Sequence, residues 1–313
     1  MKYSKEEVEF IELQIETILS DIQVARNFIA AFDSDRDIDA VRGKSKSVRN
    51  NLKAKGKTRQ IKRLFFDIET SQLLVKLWRV GKNNWVNAER IVRDRKIICI
   101  SYKWQFENTV HTLVWDKNMN DRKLIKDFIK ILGEADEIIG HNGDRFDIKE
   151  IRTRAIQEGL LMFPNYRSFD TLKKARKYFN FNSNKLNYLG KIFEVGRKLD
   201  HEGIGLWDKV EDGNKKALKT MASYCEQDVL LLEDVFHFMS PYVDHNTNYA
   251  VLLNKEKYNC PHCASDKIEF HHKDTTPKGW IHRWMKCNGC KKQYKISNKS
   301  YMKFLTDRHE KRK

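Results

Sequence analysis

Residues 64–71 read LFFDIETS: Leu64, Phe65 and Phe66 run straight into Asp67, and Glu69 follows two positions later. An apolar run of this kind reads as a buried strand. Successive side chains on a strand alternate between its faces, so Asp67 and Glu69 share one. Two carboxylates side by side on a largely buried strand repel. A hard divalent cation removes that penalty, and Mg²⁺ or Mn²⁺ prefers oxygen ligands. The stretch therefore predicts a central strand whose end helps to hold metal, and it directs attention to further carboxylates downstream.

Two places answer. HNGDRFDIKEI (141–151) puts Asp147 near a helix start, directly after the apolar Phe146. YCEQDVLLLEDVF (224–236) puts Tyr224 and Asp228 four residues apart on one helical face, leading into the apolar run Val229–Leu232. Around these motifs the pattern predicts strands at Ile97–Trp104 and Val110–Trp115 in a hairpin, an amphipathic helix over Asp121–Gly133, and a short strand at Ile138–Ile139. Strands first, then alternating helix and strand, imply an α/β or α+β domain with a mixed sheet.

FDIET, then N-x-x-x-FD, then Y-x-x-x-D, in this order, resembles the ribonuclease-H-like 3′–5′ exonuclease superfamily. The resemblance is to its DEDDy subclass, in particular the proofreading domains of family B polymerases and their free-standing bacterial and phage relatives. It covers roughly residues 62–240, and RSFDTLKKARKYFNFNSNKLNYLGK (167–191) resembles the family's connecting region. It implies an α/β ribonuclease-H-like mixed sheet flanked by helices. It also implies two catalytic Mg²⁺ or Mn²⁺ ions, with Asp67 bridging both, Glu69 and Asp228 on the ion that carries the attacking water, and Asp147 on the other. Tyr224 would orient that water, its ordinary pKa near 10 making it a poor outright base. Paired cations about 3.5–4 Å apart suit in-line attack on a phosphodiester. Thr70, Asn142 and Phe146 fit flanking positions that touch nucleic acid. His141 reads as structural or substrate-near, and Asp144, Glu150, Asp170 and Glu226 as caps, surface charges or supporting groups.

Charge adds a second line. The 313-residue chain carries a formal +17. Arg42–Arg63 holds ten Lys/Arg and no Asp/Glu, and Lys255–Lys313 holds 16 basic against 6 acidic residues. Two basic ends flank a slightly acidic middle, the footprint of a phosphate-binding protein more than of an evenly solvated surface. No apolar run approaches the ~18 residues of a membrane span, and MKYSKEEVEF lacks the apolar core of a signal peptide. The expectation is a cytoplasmic protein with no membrane partner.

At the N-terminal end, Ser4 and Glu7 form a capping box for a helix over Ser4–Leu19, and a second helix fits Ile22–Phe32. A short helix over Asp37–Arg42, a turn at Gly43-Lys44, and a basic helix capped by Ser45 and ending at Gly56 complete the segment. Ser45, Val48, Arg49 and Leu52 resemble the third helix of Myb-like helix-turn-helix modules. The resemblance implies DNA contacts by Lys46, Arg49, Asn50 and Lys53, with a packing bundle as the alternative.

At the other end, CPHC (260–263) and CNGC (287–290) supply four of the six cysteines. Two C-x-x-C pairs 23 residues apart match a tetrahedral structural zinc site, and they resemble the zinc ribbon family. KIEFHH and GWIHRWMKC read as its strands. Trp280, Trp284 and Tyr294 suit nucleic-acid contact or core packing, while Cys99 and Cys225 read as buried core. The expected organisation is an all-α domain (1–57), a basic linker (58–63), the nuclease domain (64–248) and a β zinc ribbon with a basic tail (255–313). The function expected is metal-dependent 3′–5′ exonuclease action on DNA, in a phage or bacterial replication or repair setting that would bring partners from that machinery. The alternatives are an RNA-processing or structure-directed nuclease on the same site, and a non-catalytic nucleic-acid-binding adaptor.

Overall fold

The computed structural model describes residues 3–15, 21–32, 34–54, 61–79, 86–196 and 203–310. The chain separates into two compact units, residues 62–243 and the two flanking segments 1–61 and 244–313. No helix among the described residues is long and apolar enough to cross a membrane.

In the first segment, helices α1 (Lys5–Ile15), α2 (Asp21–Phe32) and α3 (Ile38–Ala54) pack around Ile11, Ile15, Val24, Ala25, Phe28, Val41 and Val48. The capping box forms as expected: Glu7 N–H donates to Ser4 Oγ at 3.1 Å, and Ser4 N–H donates to Glu7 Oε2 at 2.7 Å. The expected turn at Gly43-Lys44 does not exist, because α3 runs unbroken through it. Ser45 is accordingly no cap. It is fully buried and donates to Asp21 Oδ1 at 2.6 Å, beside Arg49 Nε at 3.0 Å. Arg49, expected on DNA, is only 2% exposed and ties α3 to the first turn of α2 through this buried ion pair. The expected helix ends at Leu19 and Gly56, and residues 58–60 of the expected linker, lie outside the described residues.

The middle unit is built on β1 (Arg63–Thr70), at the centre of a five-stranded mixed sheet. A small two-stranded ladder of β2 (Leu74–Val75) and β3 (Ile91–Arg93) follows, then β4 (Ile97–Trp104) and β5 (His111–Val114). Helix α4 (Arg122–Glu134), β6 (Glu137–Gly140), α5 (Asp147–Gln157), β7 (Ser168–Asp170), α6 (Thr171–Tyr178), α7 (Leu186–Ile192), α8 (Ile204–Glu211) and the long α9 (Lys215–Met239) complete it. The order is β5-β4-β1-β6-β7. β4 and β5 run antiparallel to their neighbours, and β6 and β7 parallel to theirs.

Alternation along β1 sorts its side chains. Leu64, Phe66 and Ile68 join the core with Leu124, Ile125 and Phe128 of α4 and Ile148 and Ile151 of α5. Phe65 joins the opposite core with Val229, Leu232, Val235 and Phe236 of α9. Asp67 and Glu69, in phase with Phe65, therefore face α9.

The last segment holds α10 (Tyr249–Leu252), an antiparallel sheet of β8 (Ile268–Thr275), β9 (Ile281–Cys287) and β10 (Gln293–Ser297) in the order β10-β9-β8, and α11 (Asn298–Glu310). Its core is Cys260, Cys263, Ile268, Met285, Cys287, Tyr294, Ile296 and Phe304. Tyr294 is buried and donates its hydroxyl to Tyr258 O at 2.8 Å, which settles it as packing and not a nucleic-acid contact.

Candidate active site

The middle unit brings three of the four expected carboxylates into one cluster. Ligand oxygens of Asp67, Glu69 and Asp228 all lie within 4.8 Å of one another. Two elements place them. β1 delivers Asp67 and Glu69 on one face, with the ladder to β4 shifting register between Glu69 and Thr70, a bulge at the end of the site. Helix α9, started by Asn214 accepting from Lys216 N and Ala217 N, crosses that face and delivers Asp228, with Tyr224 one turn earlier. Asp228 is 1% exposed, Tyr224 is buried at 9%, and Asp67 and Glu69 are half-buried. The cluster is thus enclosed on the helix side and open on the other.

Between Tyr224 and Asp228, Cys225 packs onto the strand. Its Sγ donates to Asp67 O at 3.4 Å and lies 3.8 Å from Asp67 Oδ2. Complete burial, then the neighbouring Cys99, Asp67 and Glu69, push this thiol well above its ordinary value, so it stays protonated. The sequence reading of Cys225 as plain core missed this contact; only its position next to Tyr224 hinted at it.

Asp147 approaches from the other edge of β1. The parallel ladder with β6 covers only Arg63–Phe65 and leaves Ile68 N–H free to bond to the Asp147 carboxyl. Burial pushes that carboxyl up to about 7, while backbone N–H groups of Asp147 and Ile68 pull it down and the Asp170 and Glu150 charges push it up. Asp147 is outside the three-residue cluster, at the start of α5. The chain reaches it through a tight loop. A Cβ on Gly140 would sit 3.1 Å from Gly143 Cα, and one on Gly143 would sit 3.2 Å from Gly140 Cα. Asn142 adopts φ +69°, a left-handed conformation that Asn tolerates. Asp170 fixes the loop by accepting from Asn142 N at 3.1 Å and Asp144 N at 3.3 Å, while capping α6 through Lys173 N. His141 Nδ1 bonds to Thr171 Oγ1 at 2.9 Å, a structural contact. Asp144 pairs with Lys173, Glu150 with Arg95, and Glu226 accepts from Thr112, so these are the supporting groups expected.

The donors fit hard divalent cations. They are carboxylate oxygens, crowded enough to repel, with a fourth carboxyl that burial would protonate unless a positive charge opposed it. The second cluster fits zinc. The Sγ atoms of Cys260, Cys263, Cys287 and Cys290 lie within 4.8 Å of one another, with Cys260–Cys290 at 3.6 Å and Cys263–Cys287 at 3.5 Å. Tetrahedral Zn–S bonds of about 2.3 Å require edges of about 3.8 Å. None of the six cysteines is in a disulfide. A Cβ on Gly289 would press on Ser265 at 3.2 Å, which favours glycine inside the second knuckle.

The remaining expected contact residues are spread out. Lys46 and Asn50 lie on α3 with Asn50 exposed, and Thr70, Asn142 and Phe146 are half-buried around the carboxylates. The side chain of Lys53 lies outside the described residues.

Residues 91–240 match the family model described as the RNase_H superfamily, and the mixed sheet with its flanking helices is RNase H-like in fold. The match starts after β1, and Asp67 and Glu69 enter the site through the sheet. A solved family B DNA polymerase from the hyperthermophilic archaeon Pyrobaculum calidifontis aligns at TM-score 0.45 and 17% identity, over 58% of this chain and 25% of the polymerase. The chain thus spans about a quarter of that polymerase. No curated protein matches the sequence.

Proposed function

We propose that this chain is a metal-dependent nuclease that removes nucleotides from the 3′ end of DNA. One observation carries the reading: β1 and α9, more than 150 residues apart in sequence, bring Asp67, Glu69 and Asp228 within 4.8 Å of one another inside an RNase H-like domain. Asp67, Glu69, Asp228 and Asp147 would hold Mg²⁺ or Mn²⁺, which when bound supplies an activated water and neutralises charge on the phosphodiester. Tyr224 contributes a hydroxyl beside the cluster that orients the attacking water by hydrogen bonding. Cys225 steadies Asp67 from behind. Lys46 and Asn50 on α3, Thr70, Asn142 and Phe146 near the carboxylates, and the zinc-held ribbon supply contacts to the nucleic acid.

The test incubates the protein with 3′- and 5′-labelled single-stranded DNA, duplex DNA and RNA, in Mg²⁺, Mn²⁺ or EDTA, beside Asp67→Ala. Stepwise shortening from the DNA 3′ end, lost in EDTA and in the variant, is expected. Internal cuts or a preference for RNA would replace the exonuclease reading with a different nuclease. Binding without metal-dependent cleavage of any substrate would leave an adaptor.

A further inference from the structure

Between Ser71 and Lys96 the chain leaves the sheet and returns, and none of the described residues 72–79 and 86–96 is buried. The excursion is held by the short β2–β3 ladder and a Lys76 N–H bond to Arg90 O at 2.9 Å. A two-stranded ladder alone is marginal in water. This one nevertheless exposes Leu73, Leu74, Leu77, Val86, Val92 and Trp78, the last at 91%. Exposed apolar side chains grouped in sequence on a basic arm suit a contact surface.

The roots of the arm stand at the carboxylate cluster. Its first leg leaves directly after Glu69 and Thr70, where Gln72 N–H donates to Glu211 Oε1 at 2.7 Å and Gln72 Nε2 to Asp208 Oδ1 at 2.8 Å. Its second leg returns over the far side. Arg95 pairs with Glu150 at 2.9 Å, and its guanidinium lies 5.8 Å from the ring centre of Phe146, the neighbour of Asp147. The charge is one-sided: residues 72–96 hold seven Lys/Arg against two Asp/Glu. Arg93 and Arg95 are engaged by Glu211 and Glu150, while Lys76 and Arg90 are exposed. Basic groups interleaved with an exposed indole suit an unpaired strand, whose bases offer stacking faces and whose phosphates offer charge.

We propose that this arm grips the unpaired DNA strand feeding the carboxylate cluster, with Trp78 stacked on a base and Lys76 and Arg90 against its phosphates. The inference rests on the nuclease reading for its substrate, yet it is tested without catalysis. Anisotropy of a fluorescein-labelled single-stranded deoxyoligonucleotide, titrated with the full chain in EDTA, reads binding alone. Trp78→Ala should weaken it about tenfold, the loss of one base stack, and Trp78→Phe should recover most of it. Lys76→Ala with Arg90→Ala should flatten the slope of log K against log salt by about 1.4, two contacts at about 0.7 each. Wild-type affinity in Trp78→Ala, or an unchanged salt slope in the double variant, would overturn the proposal. Trp78-dependent binding in a chain that cleaves nothing would sink the nuclease reading and leave the arm standing. Cleavage with Trp78-independent binding would do the reverse.

Discussion

At the scale of single residues, the site is a balance between crowding and charge. Three carboxylates within 4.8 Å cost stability until a cation arrives. Glu69→Gln removes one charge at a half-buried position. It should abolish cleavage, yet raise Tm in EDTA by a few degrees, the equivalent of about 1 kcal/mol. The Mn²⁺-dependent rise in Tm expected for wild type should shrink in the same variant; a lower Tm in EDTA with an intact Mn²⁺ shift would count against the metal reading. A second balance lies below the sheet, where Lys103 on β4 and His237 on α9 bracket the buried Glu233. Burial pushes Glu233 up, but the hydrogen bonds and charges of His237 and Lys103 outweigh it and hold the carboxyl below its ordinary 4.5. A depressed carboxyl adds stability above its unfolded value, and that stability drains away as pH falls through the folded one. Glu233→Gln should therefore cost about 3 kcal/mol in urea unfolding at pH 7, with the gap to wild type narrowing below about pH 4.5. A gap that stays constant down to pH 3 would show that the network is not electrostatic.

At the scale of elements, the sequence was readable wherever a strong period met a buried face. LFFDIETS on β1, IICISYKW on β4 and the apolar stripe of α4 each appear within a residue or two of their expected bounds. Asp67, Glu69 and Asp228 converge as the family resemblance implied, while Asp147 lies outside their cluster. Helix α3 shows why a local signal can mislead. Gly43-Lys44 looks like punctuation, but Val41, Ser45 and Val48 keep helical spacing across it and all three are buried. The inward phase also carries Arg49, one residue on, where Asp21 neutralises it, so the Ser-x-x-Val-Arg pattern encodes packing. Asp21 lies 28 residues away, and nothing local announces that pairing. A substitution separates the two views of α3. A Cβ at Gly43 meets nothing within 4 Å, so Gly43→Ala should stabilise the helix by about 1 kcal/mol, read as slower amide exchange across α3 in the full chain. Faster exchange would restore the turn.

At the scale of the whole molecule, the cores are made of separate residues. Those of the RNase H-like unit draw only on residues between Leu64 and Val243, while the ribbon's core runs from Cys260 to Phe304. Three of the ribbon's eight core residues are fully buried cysteines of the thiol cluster, so its hydrophobic content is small for a self-standing sheet. If zinc fills the thiol cluster, its binding energy is expected to be folding energy for this part of the chain. The RNase H-like unit, by contrast, has apolar cores on both faces of β1, which predicts that it folds without metal. Cys287→Ser should accordingly drop the zinc content from about one per chain to none. Amide protection should vanish over β8–β10 and α11, while β1, β4 and α9 keep theirs and Mn²⁺ still raises their melting temperature. Protection retained over β8–β10 in zinc-free protein would show that the thiol cluster is a passive core. Protection lost throughout would show that the two units fold as one.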